Sequence, residues 1–164
     1  MGDQRMRVSR RAVVGGLAAV GAAAAVGALA APRPAAAQAL GGQETVEAGL
    51  KRLFGTRAIK DGSGVVKLDI PLIAENGAVV PVSVEVASPM TATNHVKHVY
   101  VVADKNRIPI VTRVAFTPAS GAAKAESRMR LIGTQDVIAI AELSDGKFLM
   151  GRRPVKVTVG GCGG

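Results

Sequence analysis

The chain has 164 residues, enough for one domain, and a net charge of +9 at neutral pH. Two per cent of it is aromatic, with Phe54, Tyr100, Phe116 and Phe148 the only rings. No platform for stacking bases is visible, so nucleic acid is not an expected partner. One cysteine, Cys162, excludes any internal disulfide.

The first segment must be set apart from fold reasoning. Ser9-Arg10-Arg11-Ala12-Val13-Val14 has the twin-arginine form of an export signal, followed by an apolar run from Ala12 to Ala31. That run contains only two leucines, a mild hydrophobicity suited to a cleavable signal. Small-residue cleavage sites follow at Ala35-Ala36-Ala37 and Ala37-Gln38-Ala39. Residues 1–37 are therefore expected to be a signal peptide, with the mature chain periplasmic and the membrane met only during export. Without those residues the chain keeps 16 Lys+Arg and 11 Asp+Glu, a net +5, so part of the basic charge belongs to the signal.

Residues 38–62 form an N-terminal segment with a short amphipathic helix over 43–54. Val46, Leu50, Leu53 and Phe54 recur at helical spacing, and Gly55 ends the pattern. The expected role of this helix is to cover one end of the core.

Residues 63–159 change to a period of two. Val66, Leu68 and Ile70 share one face against Lys67 and Asp69, and Asn76-Gly77 marks a turn. Val80, Val82, Val84 and Val86 alternate next, with Pro81 suggesting an edge strand because it lacks a ladder donor. Val99, Val101 and Ala103 follow, then a polar turn from Asp104 to Arg107, then Ile108, Ile110, Val114 and Phe116. Ala125, Met129 and Leu131 alternate with charged residues. Val137 to Leu143 is nearly continuous and so central. Ser144-Asp145-Gly146-Lys147 makes a turn before the short Phe148-Leu149-Met150, and Val155, Val157 and Val159 form the last strand. About seven strands with almost no helix predict an all-β, Ig-like antiparallel β-sandwich. A paired cysteine bridge and a core tryptophan are both missing, so aliphatic side chains must make the core.

Residues 160–164, Gly160-Gly161-Cys162-Gly163-Gly164, carry the clearest chemical signal. Glycines supply no packing and leave the backbone free, so the segment is expected to be a flexible arm presenting an exposed thiol. From Val159 an extended arm would place Cys162 roughly 10 Å beyond the domain. Its neighbours are thin enough for a narrow tunnel. No cation adjoins it in sequence, so activation is expected to come from partner enzymes.

Other candidates are weaker. No hydrolytic triad is evident, and no catalytic residue is expected. His95 and His98 sit at i, i+3, which on a strand sends them to opposite faces. No carboxylate or cysteine near them in sequence completes a metal site, so surface or interface histidines are the default and neither metal nor cofactor is expected. Arg152-Arg153 could attract an anion on the arm, with a solvated hairpin as the plainer alternative. Arg128 and Arg130 are similarly open.

With its twin-arginine signal, Ig-like strand pattern and terminal Val-Gly-Gly-Cys-Gly-Gly, the whole chain resembles the SoxY family, carrier subunits of the periplasmic sulfur-oxidising (Sox) system. That resemblance implies a non-enzymatic carrier with Cys162 as the point of covalent attachment and Gly160, Gly161, Gly163 and Gly164 as the swinging arm. It implies a heterodimer with a SoxZ-like subunit, exported as a folded pair. It further implies work with a SoxAX-type c cytochrome, a manganese-dependent SoxB-type hydrolase and a sulfane dehydrogenase, with a cysteine S-thiosulfonate as intermediate. Two alternatives come from other classes. One is a ubiquitin-like carrier with a thiocarboxylate at Gly164, which needs ATP that the periplasm does not provide. The other is an exported binding sandwich that dimerises through Cys162.

Overall fold

The structure is a computed structural model in which residues 40–162 are described. The expected signal peptide, both cleavage sites, Gly163 and Gly164 lie outside the described residues.

A helix, α1 (Val46–Phe54), opens the domain. Its start falls three residues later than the apolar spacing suggested because Thr45 takes the cap: its hydroxyl accepts a bond from the Ala48 N–H at 3.2 Å. Glu47 in the first turn and Lys51 and Arg52 in the last complement the helix dipole. Gly55 closes it by donating to the Lys51 carbonyl at 2.8 Å.

Nine strands follow: β1 (Ile59–Asp61), β2 (Val66–Asp69), β3 (Ile73–Asn76), β4 (Val80–Val86), β5 (Val96–Ala103), β6 (Ile110–Ala115), β7 (Ala123–Met129), β8 (Gln135–Leu143) and β9 (Phe148–Val159). They make two sheets. The larger runs β1-β9-β8-β5-β6, with β3 also on β9; the smaller runs β2-β4-β7. The fold is mostly β, as expected, but with nine strands where about seven were counted.

Three particulars differ from the sequence pattern, each for a physical reason. Phe148–Met150 and Val155–Val159 belong to one strand of 12 residues, because β8 pairs continuously along it from Glu142↔Phe148 to Gln135↔Val155. On the opposite edge of β9, β1 pairs parallel at its start and β3 parallel at its end. β1 has only three residues, and β3 has three of its four exposed, so neither shows an alternating run. Finally, β4 is the middle strand of its sheet, not an edge. Pro81 is tolerated because β2 stops at the Asp69↔Ser83 pair, leaving only β7 beside it. Pro154 sits in a similar gap on β9, between the stretches paired with β1 and β3.

Two apolar clusters hold the layers. Between the sheets lie Val66, Leu68, Val80, Val82, Val84, Val86, Val99, Val101, Val137 and Ala139, among others. On the outer face of the larger sheet, α1 covers Tyr100, Val102, Ile110, Ile138, Ile140 and Phe148 with Phe54. Phe54 meets Tyr100 edge-on at 5.0 Å between centroids. Burying a ring of that size contributes about 2–3 kcal/mol. The helix thus caps a sheet face. This is why Val137 to Leu143 reads as a nearly continuous apolar run: alternate residues feed the two different clusters.

Candidate functional site

Past Val159 the chain enters a cradle made by two loops. One is the turn after β3, at Gly77-Ala78; the other follows β7, at Leu131 to Gly133. Their backbones are stitched in series. The Gly77 N–H donates to the Val159 carbonyl at 2.7 Å, the Leu131 N–H to the Gly77 carbonyl at 2.8 Å, and the Gly161 N–H to the Leu131 carbonyl at 2.9 Å. Asn76 shapes the first loop by accepting the Ala78 N–H on its side-chain oxygen at 2.8 Å.

Space, rather than an unusual dihedral, makes Gly160 and Gly161 necessary. A Cβ at Gly161 would lie 2.7 Å from the Gly77 carbonyl carbon and oxygen and 2.8 Å from the Ala78 Cα. At Gly160 it would collide with the Ile132 carbonyl oxygen. These are backbone atoms that no rotamer change can move. Gly161 is accordingly buried, while Cys162, the next residue, is exposed with a free thiol.

A cation stands at this point although none is near in sequence. Arg130, just past the end of β7, donates from Nη1 to the Cys162 carbonyl at 2.5 Å. The loop carrying it is fixed from beneath. Asn106 donates from Nδ2 to the Arg130 carbonyl at 2.7 Å. Its Oδ1 accepts from the Ile132 N–H at 3.2 Å and from Gln135 Nε2 at 3.0 Å. Gln135 in turn accepts from the Lys105 N–H at 2.8 Å. Asn106 and Gln135 are the two buried polar side chains among the described residues, and both serve this loop. Fully bonded, such a pair fixes one backbone arrangement. None of Gly77, Asn106, Arg130, Leu131 or Gln135 emerged as a cradle residue from the sequence. The Asn76-Gly77 turn marked one of the loops, but not its meeting with the other.

The remaining candidates lie elsewhere. His98 on β5 places Nδ1 2.9 Å from Glu142 Oε2, with Arg113 Nη2 3.3 Å from its other ring nitrogen. A carboxylate absent from the local sequence is therefore supplied by β8. Tyr100 and Lys97 reach the same carboxylate at 3.4 and 3.8 Å. Burial first, and then the Glu142 charge, push the Tyr100 phenol above its usual range. His95, just before β5, puts Nδ1 3.1 Å from the Thr91 carbonyl oxygen. Among the described residues, no three His, Cys, Asp or Glu side chains gather as a metal site. Arg152 and Arg153 lie inside β9 rather than in a hairpin. Arg152 pairs with Asp136 at 3.3 Å, and Arg153 donates to the Leu68 carbonyl at 3.2 Å. Nine residues of extended chain, roughly 30 Å, separate Arg153 from Cys162. Arg128 lines an open groove with Asp69, Ser83 and Glu126.

The family model for the sulfur oxidation protein SoxY matches residues 50–162, from the body of α1 to the cysteine. The chain belongs to the SoxY family. Among solved structures it is similar to the sulfur carrier protein SoxY from Chlorobium limicola f thiosulfatophilum, with 26% identity and a TM-score of 0.59. That match covers 70% of this chain and 97% of the other. A superoxide reductase (neelaredoxin) from Ignicoccus hospitalis shares the fold at 19% identity and a TM-score of 0.50, over 57% of this chain and 80% of that one. No curated protein matches. Two observations thus meet at Cys162: the family match ends there, and it follows Gly161, the last buried position among the described residues.

Proposed function

We propose that this SoxY-family chain is a non-enzymatic covalent carrier of sulfur intermediates, with Cys162 as the attachment point. The observation that carries the reading is the exposed free thiol one residue beyond a buried glycine, at the end of a family match to a sulfur oxidation protein. The twin-arginine signal over residues 1–37 would deliver the chain to the periplasm, together with a SoxZ-like subunit.

The chemistry begins with thiosulfate. The Cys162 thiol and thiosulfate join through a new S–S bond, releasing one proton and two electrons, which a SoxAX-type c cytochrome accepts. The product is the anionic cysteine S-thiosulfonate. A SoxB-type hydrolase adds water, releasing sulfate and two protons and leaving one sulfane sulfur on the cysteine. A sulfane dehydrogenase accepts six electrons from that sulfur, while three waters supply its oxygens and release six protons. A second hydrolysis then frees sulfate and restores the thiol. Holding the intermediate covalently keeps a small anion from diffusing away and makes each later step effectively intramolecular once a partner docks. Val79, Ile132 and Val159, exposed apolar side chains beside the cradle segments, suit brief docking of such partners.

The test is Cys162→Ser in a reconstituted system. The expected result is complete loss of thiosulfate-dependent electron transfer with an unchanged fold. Retained turnover overturns the reading. Intact-mass analysis of protein from thiosulfate-oxidising cells should show sulfur adducts on the Cys162 peptide; a thiocarboxylate at Gly164 would replace this reading with the ubiquitin-like one.

A further inference from the structure

We propose that Arg130 is the positioning residue of the Cys162 arm, holding it in the cradle and giving the docked thiol a positively charged setting that favours anionic sulfur reactants over neutral ones. The use of that preference rests on the carrier reading above; the geometry does not.

Arg130 is exposed, so its charge is not needed by the core, and no carboxylate among the described residues pairs with it. Its placement is nonetheless constrained. The buried Asn106 holds its carbonyl, and the next residue, Leu131, is fully buried and bonded to both Gly77 and Gly161. The guanidinium therefore leaves a fixed loop and reaches the carbonyl of the one residue that carries the thiol. A guanidinium has five donors in a planar fork. One is used on the Cys162 carbonyl, and others remain for an anion approaching or attached to the sulfur. Thiosulfate and a cysteine-bound thiosulfonate both carry terminal oxygens of that kind. The arm is thus seated by the same side chain that biases what reaches its thiol.

The probe is a pair of alkylating reagents of similar size and opposite charge character. Iodoacetate is anionic and iodoacetamide neutral, and each loses iodide to the cysteine sulfur. Rates are measured on the whole chain at one pH, and their ratio removes any change common to both. At roughly 6 Å in a water-like dielectric, one positive charge should favour the anionic reagent by about threefold. Arg130→Gln should lower the iodoacetate-to-iodoacetamide ratio by about that factor at low ionic strength, and Arg130→Lys should keep it. At about 1 M salt the Debye length falls to about 3 Å, and the difference should vanish. An unchanged ratio in Arg130→Gln overturns the proposal. So does an equal rise in both rates, which would mark release of the arm without a charge effect. These readings do not depend on sulfur chemistry. Their failure would leave Cys162 as a carrier, whereas an absence of sulfur adducts on Cys162 would leave them standing.

Discussion

Gly161→Ala is the sharpest probe of the cradle. The added methyl carbon would lie 2.7 Å from two backbone atoms of Gly77 and 2.8 Å from the Ala78 Cα. Contacts this short between a methyl and backbone are not tolerated, and Gly77 is itself closed in by the Leu131 carbonyl oxygen and Val157. The arm must move away. It then loses the Gly161–Leu131 bond and the Arg130 contact to the Cys162 carbonyl. Each is worth about 1 kcal/mol net, the second discounted for its exposure. Together, about 2 kcal/mol corresponds to roughly thirtyfold in a docked-to-open ratio. Amide hydrogen exchange followed by NMR reads this directly. The amide at position 161 should lose about thirtyfold in protection, and because the seated arm stabilises the whole domain by the same amount, the Tm should fall by roughly 6 °C. An amide at that position that exchanges as slowly in the variant as in the wild type would refute the tight approach of the two backbones.

Asn106→Ala should destabilise the whole domain more than its position in a loop suggests. It removes bonds to the Arg130 carbonyl and the Ile132 N–H and one of the two bonds that the buried Gln135 amide donates, the other going to the Gly133 carbonyl, a cost of about 3 kcal/mol. Thermal unfolding should show a Tm lower by roughly 10 °C; a change below about 2 °C would mean that the network is not tight. Tyr100 makes a pH prediction. Its native phenol binds its proton more tightly than the unfolded chain does, chiefly through burial. The associated stability is fully present below about pH 10, the ordinary tyrosine value, and is lost as pH rises through the higher native value. Tyr100 is the only tyrosine, so Tyr100→Phe should flatten the urea-midpoint decline above about pH 10 relative to wild type. An unchanged decline would count against the burial account.

Legibility of the fold followed the range of each signal. The valines of β4 alternate cleanly because one face of the smaller sheet is buried and the other meets solvent. β8 read as central because it is covered on both faces. β3 escaped notice because three of its four residues are exposed, so it carries no hydrophobic rhythm. Pro81 misled because proline reports on a missing donor, not on where the neighbouring strand stops. The site divides in the same way. Cys162 was legible because uniqueness and flanking glycines are local facts. The polar turn from Asp104 to Arg107 looked like solvent-facing loop, yet Asn106 is buried within it. Arg130 is 32 residues from Cys162 and Gly77 is farther still. Only the pairing of β3 with β9, and the loop fixed by Asn106, bring them to the arm.

On the proposed carrier reading, that placement sets what a partner must do to use the thiol. β9 is braced by β8 from Phe148 to Val155 and at its two ends by β1 and β3, so the strand itself is a firm support. Among the described residues the last backbone bond is at Gly161, and Cys162 stands one residue beyond it. Seated this way, the thiol is exposed but short. Releasing Gly161 and the Arg130 contact would free the chain from Gly160 to Cys162 and let it reach at most roughly 10 Å past Val159. Release costs about 2 kcal/mol from the bonds counted above. A partner with a deep active site must bind the extended arm that much better than the seated one. A reactant that attacks in solution need not. Gly160 and Gly161 let the arm lie against backbone in the cradle, and on the proposed carrier reading they would also leave it slender if a partner drew it out.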